Sequence, residues 1–356
     1  MPFRFPRYRL NPAIRKINRQ SPSCRHGHVA LHAEFLMLSR LALLYSEINC
    51  AWRCMSIISY EISDVGADEV PMRIVSLAVG VATGTFLLAA SLTGQQPAHN
   101  KQSIKFKSGQ LTLVGVVYKP DGPGPFPAVI WNHGSEKTPA GFRQFDAVAD
   151  IFVPAGYVVF APSRRGHDSS EGAYISDLMD AEEKKGGREG AGRLMVRLLE
   201  TEQLDDQFAG IAYAKTLPFV DADRMVVAGC SFGGIQSLLA AERGGGLKAA
   251  FSISPAALTW GWNPHIRDRL LTAVHGIAIP VRLIQPPKDA SLEPARVLGA
   301  EARRARKDAF ITKVYSRDTV PKDEQTHCFG GAKGFHNWAG EAVDFFDSVL
   351  GIGPHR

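Results

Sequence analysis

From residue 100 onward the chain alternates between two hydrophobic patterns. PAVIWN (127–132), YVVFAP (157–162) and RMVVAGC (224–230) are apolar at nearly every position, as strands covered on both faces are. KAAFSIS, PVRLIQ and FITKVY read the same way. Between them, apolar positions at three- and four-residue spacing predict helices near 141–155, 194–217, 264–275, 293–307 and 337–350, with another in IQSLLAAER after residue 234. SIKFKS and LTLVGVVYKP, joined by Ser108-Gly109-Gln110, predict a hairpin ahead of the first buried strand. Strands buried throughout and separated by helices imply an α/β fold: a mostly parallel twisted sheet, helices on both faces and an N-terminal hairpin. AEEKKGGREGAGR (181–193), rich in glycine and charge, is expected as an exposed insertion and a candidate lid.

The first hundred residues do not follow this pattern. Ile74 to Leu92 carries no charge, with Arg73 before it and the small residues Ala89, Ala90, Ser91 and Gly94 following its most apolar part. That length lies between a signal-peptide core and a short membrane span. A start at Met72 makes residues 72–98 an export signal, and a start at Met1 makes them a signal anchor. Residues 1–71 are then a leader outside the folded enzyme or an over-extended start, and their Arg-rich, acid-free opening also suits a transit peptide. The catalytic domain is expected at 99–356. The protein is accordingly expected to be exported, periplasmic or secreted, or membrane-anchored through 74–92 if that segment is retained.

Composition narrows the function classes. Of 356 residues 45% are hydrophobic, enough for a large core. The net charge of +6 is spread thinly, with no basic block long enough to follow a phosphate backbone, so nucleic acid is not an expected partner. Three of the five cysteines, Cys24, Cys50 and Cys54, fall in the leader. With His26, His28 and His32 nearby they do not reproduce a zinc-clip spacing, and neither a metal nor an organic cofactor is expected.

The sharpest chemical signal is Gly229-Cys230-Ser231-Phe232-Gly233-Gly234, a G-x-S-x-G between an apolar strand and a helix. In that context the motif is a tight turn that lifts a serine hydroxyl above the sheet edge, ahead of a helix N-terminus suited to developing negative charge. Otherwise it is a glycine-rich turn capped by Ser231. A serine hydroxyl needs a base, and the base a carboxylate that orients it. Asp289, after the PVRLIQ strand, is the expected carboxylate, with Glu293 as rival at a helix start. His327, in the loop DEQTHCFGGAKGF, is the expected base, with His336 as rival at the start of the last helix. The amides of Phe232 and Ser135 are the expected oxyanion donors. His133 is expected to pin the Ser135 loop, and His167 to sit in a loop near the mouth of the site.

WNHGSE, SRRGHDSSEGAY, GCSFGG, KDASLEPA and THCFGG…W…AVDFFD occur in the order seen in the α/β-hydrolase superfamily. More narrowly, the chain over residues 103–350 resembles the dienelactone hydrolase-like branch. The resemblance implies the α/β-hydrolase fold and two-step acyl transfer on a small ester or lactone. It departs from dienelactone hydrolase itself in three respects: Ser231 stands where that enzyme has a cysteine nucleophile, Thr326 precedes the histidine where glycine is common in the branch, and the leader has no counterpart. The alternatives are a peptidase like the prolyl oligopeptidase group and a catalytically silent binding module with this fold.

Trp260, Trp262 and Trp338, with Phe232 and Phe329, line an apolar acyl pocket or simply fill the core. Cys230 and Cys328 flank Ser231 and His327. A disulfide between them is conceivable after export, but adjacent residues on such turns point apart, and the expectation is against it.

Overall fold

The computed structural model describes residues 100–353. The leader, the apolar segment 74–92 and the cysteine–histidine group at residues 24–54 lie outside the described residues.

Eight strands form one sheet: β1 (Asn100–Ser108), β2 (Leu111–Lys119), β3 (Phe126–Asn132), β4 (Val158–Ser163), β5 (Val220–Cys230), β6 (Ala250–Ile253), β7 (Val281–Gln285) and β8 (Phe310–Val314). Their order is β1-β2-β4-β3-β5-β6-β7-β8. The expected hairpin is present: β1 and β2 pair antiparallel around Gly109, whose φ of 57° suits glycine. β2 also pairs antiparallel with β4, and the pairs from β4 to β8 are parallel.

The described residues hold seven α-helices, in chain order α1 (Gln144–Phe152), α2 (Ile175–Glu200), α3 (Glu202–Ala214), α4 (Phe232–Arg243), α5 (Pro264–Gly276), α6 (Glu293–Arg304) and α7 (His336–Leu350). Successive residues of a strand enter opposite layers, which is why the strands are apolar throughout. Ala128, Ile130, Met225 and Val227 pack toward α2–α6, whereas Val129, Trp131, Val226 and Ala228 pack toward α1 and α7. Trp131 stacks on Trp338 of α7 with ring centroids 6.1 Å apart.

Two expectations about helices change. The single helix expected at 194–217 is two, parted at Thr201, and the first begins at Ile175. The candidate lid at 181–193 therefore lies inside α2, broken once at Gly187 (φ 65°, ψ −174°). Its Glu and Lys residues favour helix, which a reading by apolar period alone does not register. Residues 183–189 are exposed, while Gly190–Gly192 are buried; a Cβ on Gly192 would come within 3.0 Å of Asn263 Oδ1.

Candidate active site

Parallel pairing brings several strand ends to one edge. Asn132 of β3 lies opposite Gly229 of β5, and Cys230 opposite Ile253 of β6, which in turn pairs with Ile284 of β7. The loops after β3, β5, β6 and β7 therefore leave the sheet side by side.

Ser231 sits between β5 and α4 with φ 59° and ψ −119°, a conformation unfavourable for a residue with a side chain. Its amide donates to Ile253 O at 3.0 Å, and its carbonyl accepts from Ile235 N at 3.1 Å. The turn closes because Gly233 has no side chain: a Cβ there would overlap the Asn132 carbonyl. Phe232 is the first residue of α4, where helix geometry leaves the amide without an intrahelical acceptor.

Ser135 lies three residues beyond β3 in a loop held from beneath. The Tyr174 hydroxyl donates to Ser135 O. Fully buried Arg164 donates through Nη2 to His133 O at 3.0 Å and Gly134 O at 2.8 Å, and through Nε to Gln203 Oε1 at 3.1 Å. Burial lowers its pKa to about 10, against the pull of Glu136 and Asp206, so it stays charged at neutral pH. His133 Nε2 accepts the Arg164 amide at 3.1 Å, which leaves its Nδ1 to donate to Gly134 O at 2.9 Å. Burial first, then Arg164 and His167, hold the His133 pKa well below 6.5. His167 is not at the mouth, as expected, but buried against the His133 ring, with centroids 4.4 Å apart. Burial and Arg164 lower its pKa to about 3.

Arg165 grips the buried Asp206 through Nε (2.8 Å), Nη2 (2.7 Å) and its own amide (2.9 Å), tying the segment after β4 to α3. Sequence reading missed Arg164, Arg165 and Asp206. Two arginines directly after a buried strand were the available signal.

Asp289 follows β7, its side chain fully buried. Oδ1 takes the Ala290 amide at 2.8 Å and lies 2.7 Å from His327 Nδ1; Oδ2 takes Gln285 Nε2 at 2.9 Å. The other ring nitrogen of His327, Nε2, is buried without a hydrogen-bond partner among the described residues. The rivals lie elsewhere. Glu293 opens α6 and pairs with Arg296, while exposed His336 opens α7 with Nδ1 on Lys333 O.

The expectation against a disulfide is overturned: Cys230 and Cys328 are bridged, with Cα atoms 6.1 Å apart. Adjacent residues do point apart, but they do so on both turns. Cys230 belongs to the core layer facing α1 and α7, and Cys328 packs against that same layer. Left-handed Cys328 (φ 54°) and Phe329 (φ 58°) reverse the chain just after His327.

Among the aromatics, Trp338 and Phe329 are fully buried core residues. Trp260 and Phe232 share the layer facing α2–α6, and half-buried Trp262 lies under Arg188, 4.9 Å from the ring centroid.

Comparison with known proteins adds a family. The model of the dienelactone hydrolase family matches residues 113–319, a span holding Ser231 and Asp289 and ending short of His327. A quorum-quenching protein, AidA, of Acinetobacter baumannii is 28% identical over 152 residues, 43% of each chain. The uncharacterized peptidase YtmA of Bacillus subtilis is 27% identical over 170 residues, 48% of this chain and 53% of that one. The chain thus spans about half the length of these curated relatives. Among solved structures, the Pyrococcus furiosus esterase Pf2001 superposes with a TM-score of 0.53 at 14% identity, over 71% of this chain and 94% of that one. The Pyrococcus horikoshii acylaminoacyl peptidase gives 0.54 at 15%, over 76% and 44%. At such identities the likeness concerns the fold, which is that of the α/β-hydrolases.

Proposed function

The chain belongs to the dienelactone hydrolase family, and we propose that it is a serine hydrolase that cleaves carboxylic esters or lactones through Ser231, His327 and Asp289. The observation that carries this reading is the 2.7 Å hydrogen bond between His327 Nδ1 and buried Asp289, with the elbow serine at the same sheet edge. Nδ1 engaged in this way leaves Nε2 to act as the base.

Neutral His327 takes the Ser231 proton as Oγ attacks the carbonyl carbon. Asp289 holds the imidazole tautomer and offsets the imidazolium charge. The amides of Phe232 and Ser135 receive the oxyanion. His327 returns its proton to the leaving oxygen, and a water it then deprotonates releases the acyl group.

Likeness to YtmA and to the acylaminoacyl peptidase supports amide cleavage as a second reading. The disulfide supports export, since such bonds persist in oxidising compartments.

A fluorophosphonate probe tests the reading. The wild type should be labelled and Ser231→Ala should not; equal labelling of both refutes it. A panel of p-nitrophenyl esters, lactones and aminoacyl amides then separates esterase from peptidase.

A further inference from the structure

We propose that the Cys230–Cys328 disulfide is a positioning element of the hydrolytic reaction, covalently setting the separation of base and nucleophile. The proposal rests on the assignment of Ser231 and His327 above. The bridge joins the residue immediately before one to the residue immediately after the other.

The topology explains why such a link is needed. His327 lies on the segment that leaves β8, the outermost strand, whereas Ser231 directly follows β5, three strands away. The His327 segment must return across β7 and β6. The hydrogen bond to Asp289 orients the ring, but Asp289 follows β7 and does not set the distance to β5. The Cys328 amide extends the return, donating to Ser254 Oγ, just past β6, at 3.2 Å, while Phe329 stays packed edge-on against Tyr315 at the end of β8, with centroids 5.1 Å apart. The disulfide completes the crossing to β5.

The backbone at the landing point is unfavourable by itself. Cys328 and Phe329 are consecutive non-glycine residues with positive φ, and Ser231 is a third. Such conformations persist only where surrounding contacts over-determine them. With the bridge open, the segment at 327–329 is free to relax toward ordinary dihedrals. His327 Nε2 then drifts from Ser231 while Asp289 still holds the other side of the ring. A misplacement near 1 Å costs about 100-fold in rate.

Reduction is balanced simply. A water-soluble phosphine gives two electrons, the S–S bond breaks, each sulfur takes a proton, and the phosphine becomes its oxide with oxygen from water.

The test uses the full chain, reduced with tris(2-carboxyethyl)phosphine, beside the variants Cys328→Ala and Cys230→Ala. Peptide mapping follows the bridge, and far-ultraviolet circular dichroism follows the fold. With a p-nitrophenyl ester, kcat and the rate of fluorophosphonate labelling should each fall about 100-fold. KM should change less than about threefold, as expected when geometry rather than binding is lost. Oxidised glutathione should restore the reduced wild type and neither variant. Undiminished kcat in Cys328→Ala, or in wild type shown to be reduced, overturns the proposal. So does activity that falls only in step with the dichroism, which would mark the bridge as a general staple. Failure of the underlying assignment is distinguishable: Ser231→Ala would then keep its activity whatever the state of the cysteines.

Discussion

Gln285, the last residue of β7, holds the oxygen of Asp289 that His327 leaves unused: its Nε2 donates to Oδ2 at 2.9 Å. The same nitrogen donates to Ser291 O at 2.7 Å, and Oε1 accepts the Ala295 amide at 2.9 Å. One fully buried side chain thus closes the Asp289 turn and caps the start of α6.

Gln285→Leu should therefore affect both activity and stability. Each polar group left buried and unpaired costs about 1–3 kcal/mol. Asp289 keeps its bond to His327 but loses the restraint on its rotation, so kcat should fall roughly 10- to 100-fold, a geometric loss. Steady-state kinetics and urea unfolding check the two arms; unchanged kcat would show that Asp289 needs no support from β7.

The Arg165–Asp206 pair makes a different prediction. The Asp206 side chain is fully buried and also accepts from Ser108 Oγ at 2.7 Å, so α3, the β1 end and the segment after β4 meet on one carboxylate. Arg165→Ala strands that charge in the interior, which costs about 3–5 kcal/mol. Arg165→Lys should recover only part of this, because an ammonium cannot reproduce the two-pronged contact. Urea midpoints that match wild type in both variants would refute the argument.

What could be read from the chain follows from what each signal measures. Strands β3, β4 and β5 were legible because burial on both faces leaves them apolar at nearly every position. α2 was not, because charged residues and the Gly187 break interrupt its apolar period. Asp289 and His327 were placed by chain order around the Ser231 elbow, and the structure brings that pair into contact. The supports were invisible for a physical reason. Arg164 and Asp206 read as surface charges, and only the fold reveals that each is buried with its partners. The disulfide was misjudged because adjacency along the chain says where neighbouring side chains diverge, not where two diverging turns meet.

The buried histidines predict how stability depends on pH. His133 and His167 both have folded-state pKa values below the unfolded value near 6.5, that of His167 at about 3. Each is therefore neutral in the folded protein over a range where the unfolded chain binds a proton. Stability rises with pH wherever the unfolded state holds more protons, so their contribution is complete above about pH 6.5 and is lost as pH falls below it, that of His167 down to about 3. The cause is local: protonating either ring places a second positive charge beside Arg164 in the interior. Urea unfolding at pH 7, 6, 5 and 4 should show a steepening loss of stability, and His167→Asn should make the slope shallower. A wild-type midpoint that stays level from pH 7 to 4 would mean that the cluster beneath Ser135 opens and hydrates rather than resisting the proton.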